Sequence, residues 1–142
     1  MALAASVLIR NGARIDLLAA AGLGHAEDSQ RLIASANADD SHRAFALASQ
    51  FGHTAIVRSL LDAGEDPNRY NPVGFHSHST PLHQAAAVGH DDIVRLLVEH
   101  GARLNAKDTM WQATPADWAR HEGKKEEEAY LLALDPGSGH QE

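Results

Sequence analysis

Length, composition and charge exclude several classes of protein. A chain of 142 residues is the usual size of one domain and can bury a core, and without cysteine it has no disulfide, no thiolate ligand and no cysteine nucleophile. The formal net charge of −7 disfavours nucleic acid as a partner, because phosphate binding needs clustered Lys and Arg. The longest apolar stretches, 2–9 and 17–23, fall short of the ~20 residues that span a bilayer, and no basic signal-peptide start precedes them. We therefore expect no membrane segment, and a cytoplasmic protein.

The beginning of the chain looks like the end of a repeating unit that lacks its first half. “VLIRNGARID” at 7–16 aligns with “LLVEHGARLN” at 96–105. We therefore predict a half repeat over 1–14, with apolar side chains that no first helix covers. Such an edge indicates either a chain cut from a longer protein or pairing at this edge with a partner or a second copy. We accordingly expect either a monomer or pairing through the N-terminal edge.

A Gly-His pair marks the next unit, which we place at about 15–40. Gly24-His25 precedes a second helix, “HAEDSQRLIAS”, with polar residues at 28–30 where apolar ones are expected. We expect this helix to be irregular. The pair returns at Gly52-His53 and Gly89-His90, and this recurrence favours a brace for the turn between two helices over a catalytic general base.

Two long stretches then align in one register, “FALASQFGHTAIVRSLLDAGEDPN” at 45–68 and “LHQAAAVGHDDIVRLLVEHGARLN” at 82–105. Each predicts two short antiparallel helices, because apolar residues follow helical spacing on either side of the Gly-His pair. We place these repeats at about 41–79 and 80–113. The connector between them, “EDPNRYNPVGFHSHS”, is long and predicts an ordered, protruding loop.

The clearest helix start is Thr-Pro-Leu-His. Thr80 is an N-cap, Pro81 suits the first helical position, and His83 can reach back to the cap as a capping-box residue. Thr114 and Asp117 repeat this arrangement and open a last unit at about 114–134. The polar tail at 135–142 is predicted to be disordered.

The segment “TPLHQAAAVGHDDIVRLLVEHGARLNAKD” resembles an ankyrin repeat. The resemblance covers nearly the whole chain and implies an all-α solenoid of antiparallel helix pairs, with about four repeats after the half repeat, in one domain over 1–134. The loop before Thr80 is about four residues longer than the ankyrin spacing of ~33 requires, so it forms one long finger.

The resemblance also implies a function: binding an unidentified partner protein through the concave face and the finger loops. It implies no catalysis and no cofactor, and two alternatives stay open. The chain is a regulatory part of a larger enzyme or transport protein, or it binds metal through loop histidines. The expected partner-binding residues come from the slots before Gly-His, the long loop and the following connector: Phe51, Tyr70, Phe75, His76, His78, Ala87, Val88, Met110, Trp111 and Gln112.

Some of these residues can be interpreted as structural residues as well as partner-binding ones. Phe75 and Trp111 could fold back and fill their own loops, and Trp118 is interpreted as core or cap. His76, His78 and His83 are the candidate zinc ligands, but no carboxylate or cysteine accompanies them and His83 has its capping role, so we expect no metal site there. Ser77 and Ser79 stand beside histidines in the long loop and raise the question of a hydrolase. Adjacent positions in sequence do not make a catalytic triad, because a triad is a spatial arrangement oriented by a third group.

Overall fold

A computed structural model describes residues 16–135 of the chain, which contain eight helices and no strand. This confirms the all-α prediction for the described part. The half repeat at 1–14 and the tail beyond residue 135 lie outside it. The chain divides into two compact units, Met1–Glu65 and Asp66–Glu142. None of the helices described has the length and apolar character that crossing a membrane would require.

Over its described residues, 16–65, the first unit contains four helices that pack in two consecutive pairs. Their bounds are α1 Leu17–Leu23, α2 Ala26–Ile33, α3 Ala38–Phe51 and α4 Thr54–Asp62. Helix α1 packs against α2 and α3, and α4 packs against α2 and α3. Buried alanines in α1 and α3 let these helices approach closely, while longer aliphatic side chains of α4 fill the remaining space: Ala20, Ala21, Ala44, Ala48, Ile56, Val57 and Leu60.

Helix α2 is regular over its eight residues, so the expectation of an irregular helix is wrong. The small side chain of Ser29 takes the buried position, while Asp28 and Gln30 lie toward solvent. Asp28 also pairs with Arg31, whose Nη2 lies 3.2 Å from Asp28 Oδ1. The polar residues therefore fit a helix that keeps one narrow buried face.

At Gly52-His53, the imidazole has the bracing role expected from the recurrence of the Gly-His pair. Gly24 ends α1 in the left-handed conformation, with φ 79°. His53 Nε2 lies 3.1 Å from the carbonyl oxygen of Gly22, and a Cβ on Gly24 would come within 2.8 Å of the His53 ring. Glycine is thus required there twice, for its backbone conformation and for the space that the imidazole occupies.

The second unit repeats this plan with α5 Pro81–Val88, α6 Asp91–Glu99, α7 Pro115–His121 and α8 Lys125–Leu134. Helix α5 packs against α6 and α7, and α7 packs against α8. Both predicted capping boxes are present, at Thr80 and at Thr114. The core of this unit is aliphatic: Leu82, Ala85, Ala86, Ile93, Val94, Leu97, Ala119 and Leu131.

The long loop before α5 is held by hydrogen bonds within its own unit. The Asn68 side chain donates to the Gly101 carbonyl at 3.0 Å and accepts from the Arg103 N–H at 2.7 Å. The hydroxyl of Tyr70 donates to the Lys107 carbonyl. The Thr109 N–H donates to the His78 carbonyl at 2.9 Å, which joins the loop to the connector before α7. These bonds fix the end of the loop beside that connector.

Candidate functional site: an aromatic cleft

The second unit contains a solvent-open cleft of about 780 Å³. Its walls come from four segments: the end of the long loop, one face of α5, the connector before α7, and α7 with the residue after it. Such a volume is typical of sites that bind small molecules or side chains of a partner. The lining residues are His76, His78, Gln84, Ala87, Trp111, Ala113, Asp117, Trp118, Arg120, His121 and Glu122.

Aromatic rings form the centre of this cleft. The His78 ring lies 5.7 Å from Trp111 and 5.6 Å from Trp118, and the two indoles are 6.0 Å apart with an angle of 65° between their planes. The His78–Trp111 and Trp111–Trp118 pairs, with angles of 85° and 65° between their planes, are attractive edge-to-face contacts, whereas the His78 ring is tilted by 34° to that of Trp118. Trp111 is 63% exposed although it is one of these packed rings. The cleft therefore presents a fixed aromatic surface to solvent.

A buried carboxylate holds both tryptophans in place. Asp108 is fully buried and accepts backbone N–H groups from Met110, Trp111 and Ala113, and its Oδ2 accepts the indole N–H of Trp118 at 2.8 Å. Burial raises the pKa of Asp108, but the hydrogen bonds from the Trp111 backbone and the Trp118 indole outweigh it and hold the pKa below its usual value. Asp108 is therefore ionised at neutral pH.

His83 lies behind the aromatic rings and joins the start of α5 to the connector before α7. Its Nδ1 accepts the Thr80 N–H at 3.2 Å, so Nε2 carries the proton and donates to the Ala113 carbonyl at 2.8 Å. Its ring lies 5.1 Å from that of Trp118. Burial lowers the pKa of His83 below 6.5, although the hydrogen bond to Ala113 works in the opposite direction. The imidazole is neutral at pH 7 and acts as a structural link.

Two residues with unusual backbone conformation flank the cleft. His76 and Gln112, with φ 64° and 55°, are the non-glycine residues of positive φ in the described part of the chain. A left-handed conformation costs an ordinary residue about 1–2 kcal/mol, so the surrounding contacts must impose it. At Gln112 it lets the Trp111 and Ala113 N–H groups reach the same Asp108 carboxylate. The left-handed conformation of Gln112 therefore helps to hold Trp111 at the cleft.

Charged groups lie at one side of the cleft, on and after α7. Asp117 accepts from the Thr114 N–H at 3.0 Å and faces Arg120, whose Nη2 is 3.3 Å from Asp117 Oδ1. Glu122 is exposed, and its Oε2 is 3.9 Å from His121 Nε2, too far for a strong hydrogen bond. The rim therefore offers one internally paired carboxylate and one that faces solvent.

The structure brings together four of the ten residues that the sequence predicted for partner binding. His76, His78, Ala87 and Trp111 line the cleft. The other six do not line it, although most are exposed. Val88, Met110 and Gln112 are exposed close to these residues in sequence, Tyr70 and the half-buried Phe75 belong to the long loop, and Phe51 is 59% exposed in the first unit.

Trp118 was expected to be core or cap, and this is wrong. It is half-buried, lines the cleft and contacts His78, His83 and Trp111 through its ring. The reason is its place in the repeat: Trp118 follows its N-cap Thr114 by four residues, as Gln84 follows Thr80, and both side chains line the cleft. Comparing these two slots in the sequence would have indicated the same orientation for both.

The geometry also bears on the hypothesis of a metal site. His83 uses both ring nitrogens in hydrogen bonds, so it is not a metal ligand. The His76 and His78 rings are 6.1 Å apart. Among residues 16–135, no group of three or more His, Asp or Glu side chains is placed to hold a metal ion.

Comparison with known proteins agrees with the repeat pattern. A family model described as ankyrin repeats, in three copies, matches residues 8–108. An ankyrin repeat-containing protein of Schizosaccharomyces pombe is 37% identical over 62 residues, 44% of this chain and 28% of that protein. The palmitoyltransferase Hip14 of Drosophila melanogaster is 37% identical over 76 residues, and the potassium channel KOR1 of Oryza sativa subsp. japonica is 38% identical over 97 residues. These are 54% and 68% of this chain but 11% and 10% of those proteins, so the chain spans less than a third of each relative.

Proposed function

Because the chain belongs to the ankyrin-repeat family, a general protein-interaction module, we propose that it binds a partner protein through the aromatic cleft of its second unit. Within the second unit, exposed apolar residues of α5, the long loop and the connector before α7 add to this surface: Tyr70, Val88 and Met110. Phe75, His76, His78, Ala87, Trp111 and Gln112 belong to the same proposed surface. Phe51, in the first unit, is proposed as a separate contact with the partner.

One observation carries the proposal: the cleft exposes a large aromatic side chain that is nevertheless fixed. Trp111 is 63% exposed, yet its backbone N–H is bound by Asp108 and its ring contacts His78 and Trp118. A rigid exposed tryptophan loses little conformational entropy on binding, and tryptophan is enriched among the residues that dominate interface energies. A tryptophan that only filled its own loop would be buried, so the exposure of Trp111 supports the hypothesis that it binds a partner.

The test is partner capture by matched variants. The 142-residue chain is immobilised and compared with Trp111→Ala and with Val73→Ala, an exposed residue of the same unit that does not line the cleft. We expect Trp111→Ala to reduce retention of bound protein about tenfold or more, as for a residue that dominates the interface energy, and Val73→Ala to leave retention nearly unchanged.

Far-UV circular dichroism and thermal unfolding of each variant must accompany the capture. A folded Trp111→Ala variant that retains the same protein as the original chain contradicts binding through the cleft. If Trp111→Ala is unfolded, Trp111→Phe, which keeps a packed ring but a smaller face, takes its place in the comparison.

A second function is favoured by the relatives: the chain acts as a regulatory part of a larger enzyme or transport protein. A palmitoyltransferase and a potassium channel each contain a region similar to more than half of this chain. The test is the genomic sequence around the coding region. An in-frame catalytic or membrane domain supports this second function, and stop codons in frame on both sides contradict it.

A further inference from the structure

The charges around the aromatic cleft are mostly negative. Arg120 is neutralised by Asp117, with 3.3 Å between Nη2 and Oδ1, and Glu122 faces solvent on the same rim. The buried Asp108 carboxylate lies directly behind the aromatic surface, 2.8 Å from the Trp118 indole nitrogen. The whole chain has a net charge of −7. A positively charged occupant is therefore attracted both by the cleft and by the chain as a whole.

The tryptophans are suited to a cation in particular. The negative face of an indole attracts ammonium and guanidinium groups more strongly than the face of any other side chain. An indole that donates its N–H to a carboxylate, as Trp118 does to Asp108, becomes more electron-rich, which strengthens this attraction. Trp111 packs against that indole and offers its own exposed face beside it.

An apolar anchor fits the cleft less well. The rings already touch one another at centroid separations of 5.1 to 6.0 Å, so they form a surface and not a deep slot. An apolar side chain placed beside the Glu122 carboxylate would displace its water and offer it no polar contact, leaving His121 Nε2 at 3.9 Å as its ion-pair partner, and a poorly paired carboxylate out of water is costly. A cation replaces that water with an ion pair.

Resting on the proposed function, we infer that the cleft binds an arginine side chain on a basic segment of the partner protein. Its guanidinium stacks on Trp111 and pairs with the Glu122 carboxylate. Arginine is favoured over lysine because a planar guanidinium stacks on an aromatic face and forms a bidentate ion pair with a carboxylate. A guanidinium is also less strongly hydrated than an ammonium group. The internal pair of Arg120 with Asp117 shows that this rim already accommodates a guanidinium.

The test begins with a phage-displayed library of random heptapeptides. The library is selected on the 142-residue chain and counter-selected on Trp111→Ala. We expect the peptides that depend on Trp111 to be enriched in arginine and depleted in Asp and Glu. The best peptide is then made in three forms that differ at one arginine, which is kept, replaced by lysine, or replaced by the uncharged isostere citrulline.

Binding of these peptides is followed by intrinsic tryptophan fluorescence. The chain has two tryptophans, and both line the cleft, so the signal reports on this site. We expect citrulline to weaken binding about tenfold or more and lysine about threefold. Glu122→Gln should weaken binding of the arginine peptide about fivefold, whereas Glu99→Gln, the same change at an exposed residue outside the cleft, should weaken it only slightly.

The outcomes separate this inference from the proposed function. Trp111-dependent peptides without arginine, or a citrulline or lysine peptide that binds as tightly as the arginine one, overturn the arginine assignment while binding at the cleft stands. Equal effects of Glu122→Gln and Glu99→Gln overturn the ion pair. A selection without any Trp111-dependent peptide contradicts the proposed function itself.

Discussion

At the scale of single residues, one histidine links helix capping to the position of the cleft. His83 closes the capping box at Thr80 through Nδ1 and, with Nε2, holds the Ala113 carbonyl of the connector before α7. Protonation of Nδ1 would break the bond from the Thr80 N–H and place a charge in a fully buried site. The neutral ring is therefore part of the folded state, which makes stability depend on pH.

We predict that stability falls below pH 6.5 because of His83. The pKa of His83 is lowered in the folded chain, so the unfolded chain binds the proton first as pH falls. The contribution of neutral His83 to the free energy of unfolding is therefore complete above pH 6.5 and is lost as pH falls through the folded pKa. The slope is at most about 1.4 kcal/mol per pH unit for one proton. Urea unfolding at pH 7.5 and 5.5 measures it. His83→Gln is the control, because it keeps a capping side chain but does not titrate, and an equal pH dependence in both proteins would disprove the assignment.

At the scale of elements, the connector before α7 is built around Asp108. Its carboxylate binds three N–H groups of the connector and the Trp118 indole of α7. We predict that Asp108→Asn costs about 2–3 kcal/mol, because one acceptor oxygen becomes an NH₂ group that faces donors and the charge is lost. Urea unfolding gives the cost, and the tryptophan emission should shift. Asp92→Asn, at an exposed position of α6, should stay within about 0.5 kcal/mol.

The helix pairs and caps could be predicted from the sequence because they depend on residues three or four apart. Thr80, Pro81 and His83 specify a helix start locally, and the structure contains the predicted capping box. The cleft could be predicted only in part, because its walls come from four segments whose meeting depends on packing. The exposed Trp111 was identified, but Asp108, which fixes it, was missed and Trp118 was misassigned. The long loop was anticipated from its length, but the bonds from Asn68 that tie it to Gly101 and Arg103 are contacts between distant residues.

At the scale of the whole molecule, charge should govern how fast a basic partner arrives. A net charge of −7 on 142 residues creates an attractive field for cations that extends beyond the cleft, and salt screens it over a distance of ~10 Å at 0.1 M. Contacts inside the cleft are screened much less, so they determine the rate of dissociation. The two steps should therefore respond differently to salt.

We predict that raising NaCl from 20 to 300 mM lowers the association rate constant of the arginine peptide about tenfold and changes its dissociation rate less than about threefold. Stopped-flow tryptophan fluorescence measures both rates. Glu99→Gln, which removes one negative charge away from the cleft, should slow association slightly and leave dissociation unchanged, whereas Glu122→Gln should accelerate dissociation. Salt that acts mainly on dissociation would mean that the attraction resides in a screened surface ion pair, and that the field of the whole chain does not steer the partner.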